Sequence, residues 1–232
     1  MRKNTWLESE NALLLKLKNK NLSYKEINEI LPKGIDALRN RYWILKQKEE
    51  SWIDKEVIGF LDIEVSNLKA DVGYILSWAL RVNGETKSAV ITKREIFNGS
   101  LDKRIIKELL KELALLDTVV TYYGSRMDLP FIRTRSLING LDFPVQGLIR
   151  HIDLYYQVKY KLQLHRNSLD AACSIFELKD KTRFDVSIWQ RAALGDKACL
   201  AEILNHNIID VELTENLFNQ IKKFGKFTRK SI

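Results

Sequence analysis

Apolar positions recur at helical spacing through the first fifty residues and then give way to β-rich runs. Across residues 7–18, Leu13, Leu14 and Leu17 fall on one side of a helix. Ser23 is a good N-cap, and Glu26 three residues later completes a capping-box pattern. Ile27, Ile30 and Leu31 give that second helix its apolar face, and Pro32 marks its end. A third helix is expected over residues 35–48, with Ala37, Leu38 and Trp43 set among Arg39, Arg41 and Lys46. Three short helices with a tight second turn predict a helix-turn-helix. Beyond residue 56 the runs VIGFLDIEVS, GYILSWALRV and KSAVIT read as strands, and the Asn83-Gly84 pair signals a hairpin. LDKRIIKELLKELALLD is an amphipathic helix and TVVTYY a short buried strand. Helices dominate from Leu129 onward, and the last, over about residues 197–224, is long. The pattern divides into an all-α unit over 1–48, a charged linker over 49–55, an α/β domain over 56–225 and a basic tail over 226–232.

Composition adds location more than identity. The 232 residues are 45% hydrophobic and 29% charged, enough apolar material for a true core. No apolar run approaches the ~20 residues that a membrane-spanning helix needs. The N-terminal stretch has two basic residues, but acids soon interrupt it and no small-residue cleavage site appears. A soluble, intracellular, cytoplasmic protein without a membrane partner is therefore expected. Cys173 and Cys199 stand in neither a CxxC pair nor a Cys/His cluster, which predicts two reduced core thiols rather than a zinc site or a disulfide.

The net charge is +8, and it sits at the ends. Residues 1–50 carry 11 Lys/Arg against 7 Asp/Glu, and residues 221–232 carry 5 Lys/Arg and no acid. The stretch between them is nearly balanced, at −1. Basic ends attract phosphate backbones, which makes nucleic acid the first partner to consider; solubility or a frayed tail is the plainer alternative.

Chemistry enters with the acids. Asp62 and Glu64 are two apart in a strand, so both carboxylates emerge on one face. Two acids on an otherwise apolar strand repel each other, and a hard cation such as Mg²⁺ or Mn²⁺ relieves that repulsion with oxygen ligands. Downstream, VVTYYGSRMDLPFIRTR carries a buried strand into a turn, where Gly124 lets Asp128 reach back over the strand end or cap a helix beginning near Pro130. In LNHNIIDVELTENL, His206 and Asp210 are four apart and share a helical face.

These residues carry two resemblances. The segment TWLESENALLLKLKNKNLSYKEINEILPKGIDALRNRYWIL, with Trp6, Glu8, Glu10 and its RNR, is similar to a Myb/SANT-type helix-turn-helix. That likeness implies DNA contacts from Arg39, Arg41 and Lys46, or a protein-binding bundle with solvated charges. The order DxE, Asp, HxxxD over about residues 57–220 resembles the DEDD exonuclease superfamily, which includes polymerase proofreading domains. Within it, the sequence looks most like the predicted exonuclease group with a YNxxDV-type third motif. The resemblance implies a ribonuclease-H-like mixed sheet flanked by helices and 3′–5′ exonuclease action. It also implies two divalent ions, Mg²⁺ or Mn²⁺, roughly 3.5–4 Å apart on Asp62, Glu64, Asp128 and Asp210. This chain departs from the group twice: Tyr123 stands where relatives often have Asn, and His206 stands at the tyrosine that orients the water. With an unperturbed pKa near 6.5, His206 is a candidate general base. Asp153 and Asp185 could line the cleft but are expected at strand ends or caps, His151 and His165 carry weaker signals, and Tyr122, Tyr123 and Phe131 could stack on terminal bases but are expected in the core. An RNA-directed or structure-specific nuclease, and a non-catalytic adaptor with a degenerate nuclease fold, remain open alternatives.

Overall fold

A computed structural model describes residues 6–49, 56–145, 147–178 and 185–224, with the side chains of Asn19 and residues 46–49 left undescribed. The side chain of Lys46, most of the expected linker and the tail over 226–232 lie outside the described residues. The chain divides into two compact units, 1–56 and 57–232.

The first unit packs α1 (Glu8–Asn19), α2 (Tyr24–Ile30) and α3 (Ile35–Glu49) around Leu14, Ile27, Leu31 and Leu38. The capping box forms as the sequence predicts: the Ser23 amide donates to Glu26 Oε2 at 2.7 Å, and the Glu26 amide to Ser23 Oγ at 3.3 Å. Gly34, at φ +90°, makes the turn into α3, and its amide donates to Asn28 Oδ1 at 2.7 Å.

The second unit is a five-stranded mixed sheet, β3-β2-β1-β4-β5. Strands β1 (Ile58–Val65), β2 (Ile75–Val82) and β3 (Glu85–Val90) form an antiparallel meander. Asn83 and Gly84, both at positive φ, make the hairpin turn that their sequence signalled. Strands β4 (Thr118–Thr121) and β5 (Arg150–Asp153) add in parallel on the far side of β1. Between β3 and β5 the chain also forms α4 (Lys93–Phe97), α5 (Lys103–Leu113) and α6 (Asp128–Ile138). After β5 come α7 (Leu154–Lys161), α8 (Leu169–Ser174), α9 (Val186–Ala193) and α10 (Lys197–Ile221). Strand β5, only four residues long, is the element that the helix-dominated reading beyond Leu129 left out.

Register decides which helix covers which face. Asp62 pairs with Ala79 and Glu64 with Ser77, so these four side chains share one side of the sheet with Phe60 and Arg81. Helix α10 lies on that side: Phe218 packs edge-on against Phe60, with centroids 5.5 Å apart, and Glu215 binds Arg81 at 2.5 Å. On the opposite side, Trp78 Nε1 donates to the Ile105 carbonyl of α5 at 2.8 Å, and Leu61, Ile63 and Leu80 join Ile106 and Leu109 in the core. Helix α6 is fixed by a buried ion pair. Arg135 binds both oxygens of Asp102 at 2.8 Å, and Asp102 also accepts from the Ile75 amide. Helix α10 is capped by Asp196, whose side chain accepts from the Ala198 and Cys199 amides. That backbone bonding and Arg191 hold the Asp196 carboxyl down to about 2. Cys173 and Cys199 are both buried. No helix among the described residues is long and apolar enough to cross a membrane.

Candidate active site

Strand alternation places Asp62 and Glu64 on the α10 side of β1, half-buried, while Leu61 and Ile63 turn into the opposite core. Strands β1 and β4 pair only from Ile58 to Phe60, and beyond that point the chain after β4 turns away. The Ile63 amide is therefore left without a β4 partner, and Asp128 Oδ1 accepts from it at 3.1 Å. This puts a third carboxylate beside the backbone that joins the first two. Helix α6 begins at Asp128 itself rather than near Pro130, and the Asp128 side chain crosses to β1.

The turn that delivers Asp128 divides its demands between two residues. Tyr123, not Gly124, adopts the left-handed conformation, at φ +67°. Gly124 is needed for space, because a Cβ there would collide with the Thr121 side chain. Asp153 holds the turn, accepting from the Tyr123 amide at 2.8 Å and the Ser125 amide at 3.0 Å. It also caps α7 through the Tyr155 amide, as Asp185 caps α9 through the Ser187 amide.

Helix α10 brings up the remaining candidates. Asp210 is buried and shares a cleft of about 500 Å³ with Asp62, Tyr122, Tyr123, Tyr155 and Arg166. His206 is also buried, one turn earlier, with Nε2 3.6 Å from Glu64 Oε1 and 3.8 Å from Asp210 Oδ2. Between them, Asn207 donates to Asp62 Oδ2 at 2.5 Å and accepts from the Ser77 hydroxyl at 2.6 Å. Trp189 Nε1 of α9 donates to Glu64 Oε2 at 3.0 Å. Burial, with smaller contributions from Asp153 and Glu64, pushes the Asp128 carboxyl up to about 7.

Among the described residues, no group of three or more His, Cys, Asp or Glu side chains is gathered tightly enough to hold an ion. The chemistry of the donor set nevertheless suits a hard divalent cation: four carboxylates, all oxygen, with the Asp128 charge disfavoured by burial and by its acidic neighbours.

Sequence reasoning passed over Asn207, Ser77, Trp189 and the turn-holding role of Asp153. Asn207 stands in the HNIIDV segment already singled out, whereas Trp189 and Ser77 carry no local signal. Phe131 is in the core as expected, Tyr122 is half-buried, and Tyr123 is 45% exposed and so does not belong to the core. His151 is half-buried, bonded to Thr121 Oγ1 at 2.9 Å, and burial pushes its imidazole down to about 4. In the first unit, Arg39 is exposed and paired with Asp36 at 3.2 Å. Arg41 instead donates to Asn11 at 2.7 Å and lies over the Trp6 ring.

The model of the RNase_H superfamily matches residues 59–222, and the chain belongs to that superfamily. Its α/β fold is ribonuclease-H-like, a mixed five-stranded sheet with flanking helices that follows three N-terminal helices. Among similar solved structures is the family B DNA polymerase from the hyperthermophilic archaeon Pyrobaculum calidifontis, with a TM-score of 0.62 and 18% identity. The match covers 73% of this chain and 25% of the polymerase chain, so this chain spans about a quarter of that protein's length and the likeness is one of fold. No curated protein matches the chain. Family and fold together support a nuclease.

Proposed function

We propose that the chain is a divalent-metal-dependent nuclease that degrades DNA from its 3′ end. The observation that carries this reading is the meeting of acids from three elements: Asp62 and Glu64 on β1, Asp128 bonded to the amide between them, and Asp210 of α10 in the cleft with Asp62. Asp62, Glu64, Asp128 and Asp210 would hold Mg²⁺ or Mn²⁺, two ions in the DEDD pattern. When bound, the metal supplies an activated water and charge stabilisation of the leaving oxygen.

The chain's own groups set that chemistry up. Asn207 and Trp189 orient the carboxylates of Asp62 and Glu64 by one hydrogen bond each. His206 presents Nε2 to both Glu64 and Asp210, and in this reading it takes up the proton released in hydrolysis, the two carboxylates stabilising its imidazolium. The three-helix unit would bind the DNA backbone through Arg39, with Arg41 and Lys46 as further candidates.

The test is degradation of end-labelled single- and double-stranded DNA, and of matching RNA, with Mg²⁺ or Mn²⁺. Wild type is expected to shorten linear DNA and spare circles, and Asp62→Ala to be inactive. Equal behaviour of the two proteins under both ions would sink the catalytic assignment. A second reading, a non-catalytic nucleic-acid-binding protein, draws on one observation: no donor cluster is gathered around an ion position among the described residues. Calorimetry separates the two, since absence of divalent binding at millimolar concentration selects the second.

A further inference from the structure

One end of the cleft opens onto an aromatic surface. The Tyr123 and Tyr155 rings, which line the cleft, have centroids 4.7 Å apart. Tyr155 lies 5.2 Å from Tyr156, and Tyr156 lies 6.2 Å from Tyr160 with the two planes within 18° of parallel. Tyr156 and Tyr160 are four apart on α7 and so share a helical face. Tyr160, the outermost ring, is 71% exposed. Four rings in contact thus lead from Asp62 and Asp210 to the surface. A phenol ring this exposed contributes little to the fold, and most of its surface remains available to a partner.

The segment that carries three of these rings is basic, bounded by Asp153 at the turn and by Asp170, which pairs with Arg166 at 3.4 Å. Residues 154–169 contain no Asp or Glu but include Lys159, Lys161 and Arg166. Lys159 Nζ sits about equally far from the Tyr155 and Tyr160 rings, at 6.0 and 5.8 Å from their centroids. Arg126 Nε donates to the Tyr156 hydroxyl at 3.4 Å. Cations interleaved with exposed aromatic rings suit a ligand that alternates negative charge with flat apolar rings. An unpaired nucleic-acid strand has that alternation, whereas a duplex keeps its base faces stacked on one another.

We propose that this tyrosine track binds a single strand of nucleic acid and leads its end into the cleft. Bases lie against the exposed rings of Tyr160 and Tyr123, and Arg126 and Lys159 meet the phosphates. This inference rests on the nuclease reading for the direction of the strand, but the binding itself does not depend on hydrolysis.

The experiment uses the full chain in EDTA, where nothing is cut, and follows a fluorescein-labelled oligothymidylate and a blunt duplex of equal length by anisotropy. Tyr160→Ala should weaken single-strand binding about fivefold or more, while Tyr160→Phe stays within about twofold of wild type. Duplex binding should not change. Arg126→Gln and Lys159→Gln should each reduce the single-strand salt slope by about 0.7. Photo-crosslinking with 5-iodouracil in the strand should label residues 154–161, which keeps the test decisive if the three-helix unit dominates the total affinity. Unchanged affinity in Tyr160→Ala with labelling confined to residues 6–49 overturns the track, and so does an equal loss in Tyr160→Phe. If Tyr160→Ala loses affinity and the wild type cuts nothing with any ion, the track stands and the nuclease reading falls. If wild type cuts while Tyr160→Ala binds normally and labelling is confined to residues 6–49, the reverse holds.

Discussion

Asn207 joins Asp62 to Ser77: its amide donates to the carboxylate at 2.5 Å and its carbonyl accepts from the hydroxyl at 2.6 Å. One side chain on α10 therefore ties together the first acid of β1 and the neighbouring strand. Asn207 is fully buried, so neither of its bonds is exchanged easily for water. Replacing Asn207 with Leu should cost about 1–3 kcal/mol of stability, because a buried hydroxyl loses its acceptor. Divalent affinity should fall about 10- to 100-fold, as for other residues that orient a ligand from behind. Chemical denaturation and calorimetry with Mn²⁺ would measure the two effects. Ser77→Ala should retain more affinity than Asn207→Leu, and the opposite order would contradict this arrangement.

Divalent ions should raise the melting temperature of the wild type through binding to the folded state. Asp62→Asn should remove most of that rise and leave the fold intact, since an amide can still accept from Asn207. Differential scanning fluorimetry with and without millimolar Mg²⁺ or Mn²⁺ provides the check. A rise of the same size in both proteins would take Asp62 out of the ligand set.

Asp128 makes a pH-dependent prediction for the metal-free protein. Burial raises its carboxyl from an ordinary value near 4 to about 7, so between these values the folded state binds more protons than the unfolded chain. Its contribution to stability is thus best at acid pH and declines as pH rises through 7. Asp128→Asn keeps an acceptor for the Ile63 amide without the charge. It should therefore be more stable than wild type at pH 8 in EDTA and lose that advantage near pH 4. Urea melts across this range would show a constant difference if Asp128 were not responsible.

His206 faces Glu64 and Asp210 from a buried position on α10. If it accepts the proton of hydrolysis, His206→Gln should lower kcat about a hundredfold or more with little change in KM. It should also flatten the acid limb of the pH–rate profile, which arises when the imidazole is already protonated. A purely structural role would scale the profile down without changing its shape.

The two arginines of α3 should behave differently. Arg39 is exposed, and its pairing with Asp36 is a surface ion pair of little energetic weight. Arg39→Gln should weaken DNA binding and reduce the salt slope by about 0.9 without destabilising the bundle. Arg41 bridges α3 to Asn11 and Trp6, so Arg41→Gln should lower the thermal stability of the first unit. A normal melt for Arg41→Gln with lost DNA affinity would reverse this division.

Local pattern alone determined much of the architecture. Period-two alternation put Asp62 and Glu64 on one face, the Ser23 and Glu26 pair announced α2, and Asn83 with Gly84 announced the hairpin. These features depend on residues within a few positions of one another, so a linear chain displays them. Strand β5 escaped because four residues are too few to establish a period, and Tyr123 escaped because its left-handed backbone is held by Asp153, thirty residues away. Only the tertiary structure decided what stands behind the acids. The bonds of Asp62 to Asn207, Glu64 to Trp189 and Asp128 to the Ile63 amide span 145, 125 and 65 residues of chain. They exist because β1 and β4 diverge at Phe60 and because α9 and α10 bring Trp189 and Asn207 to the face that the strand register turned toward them.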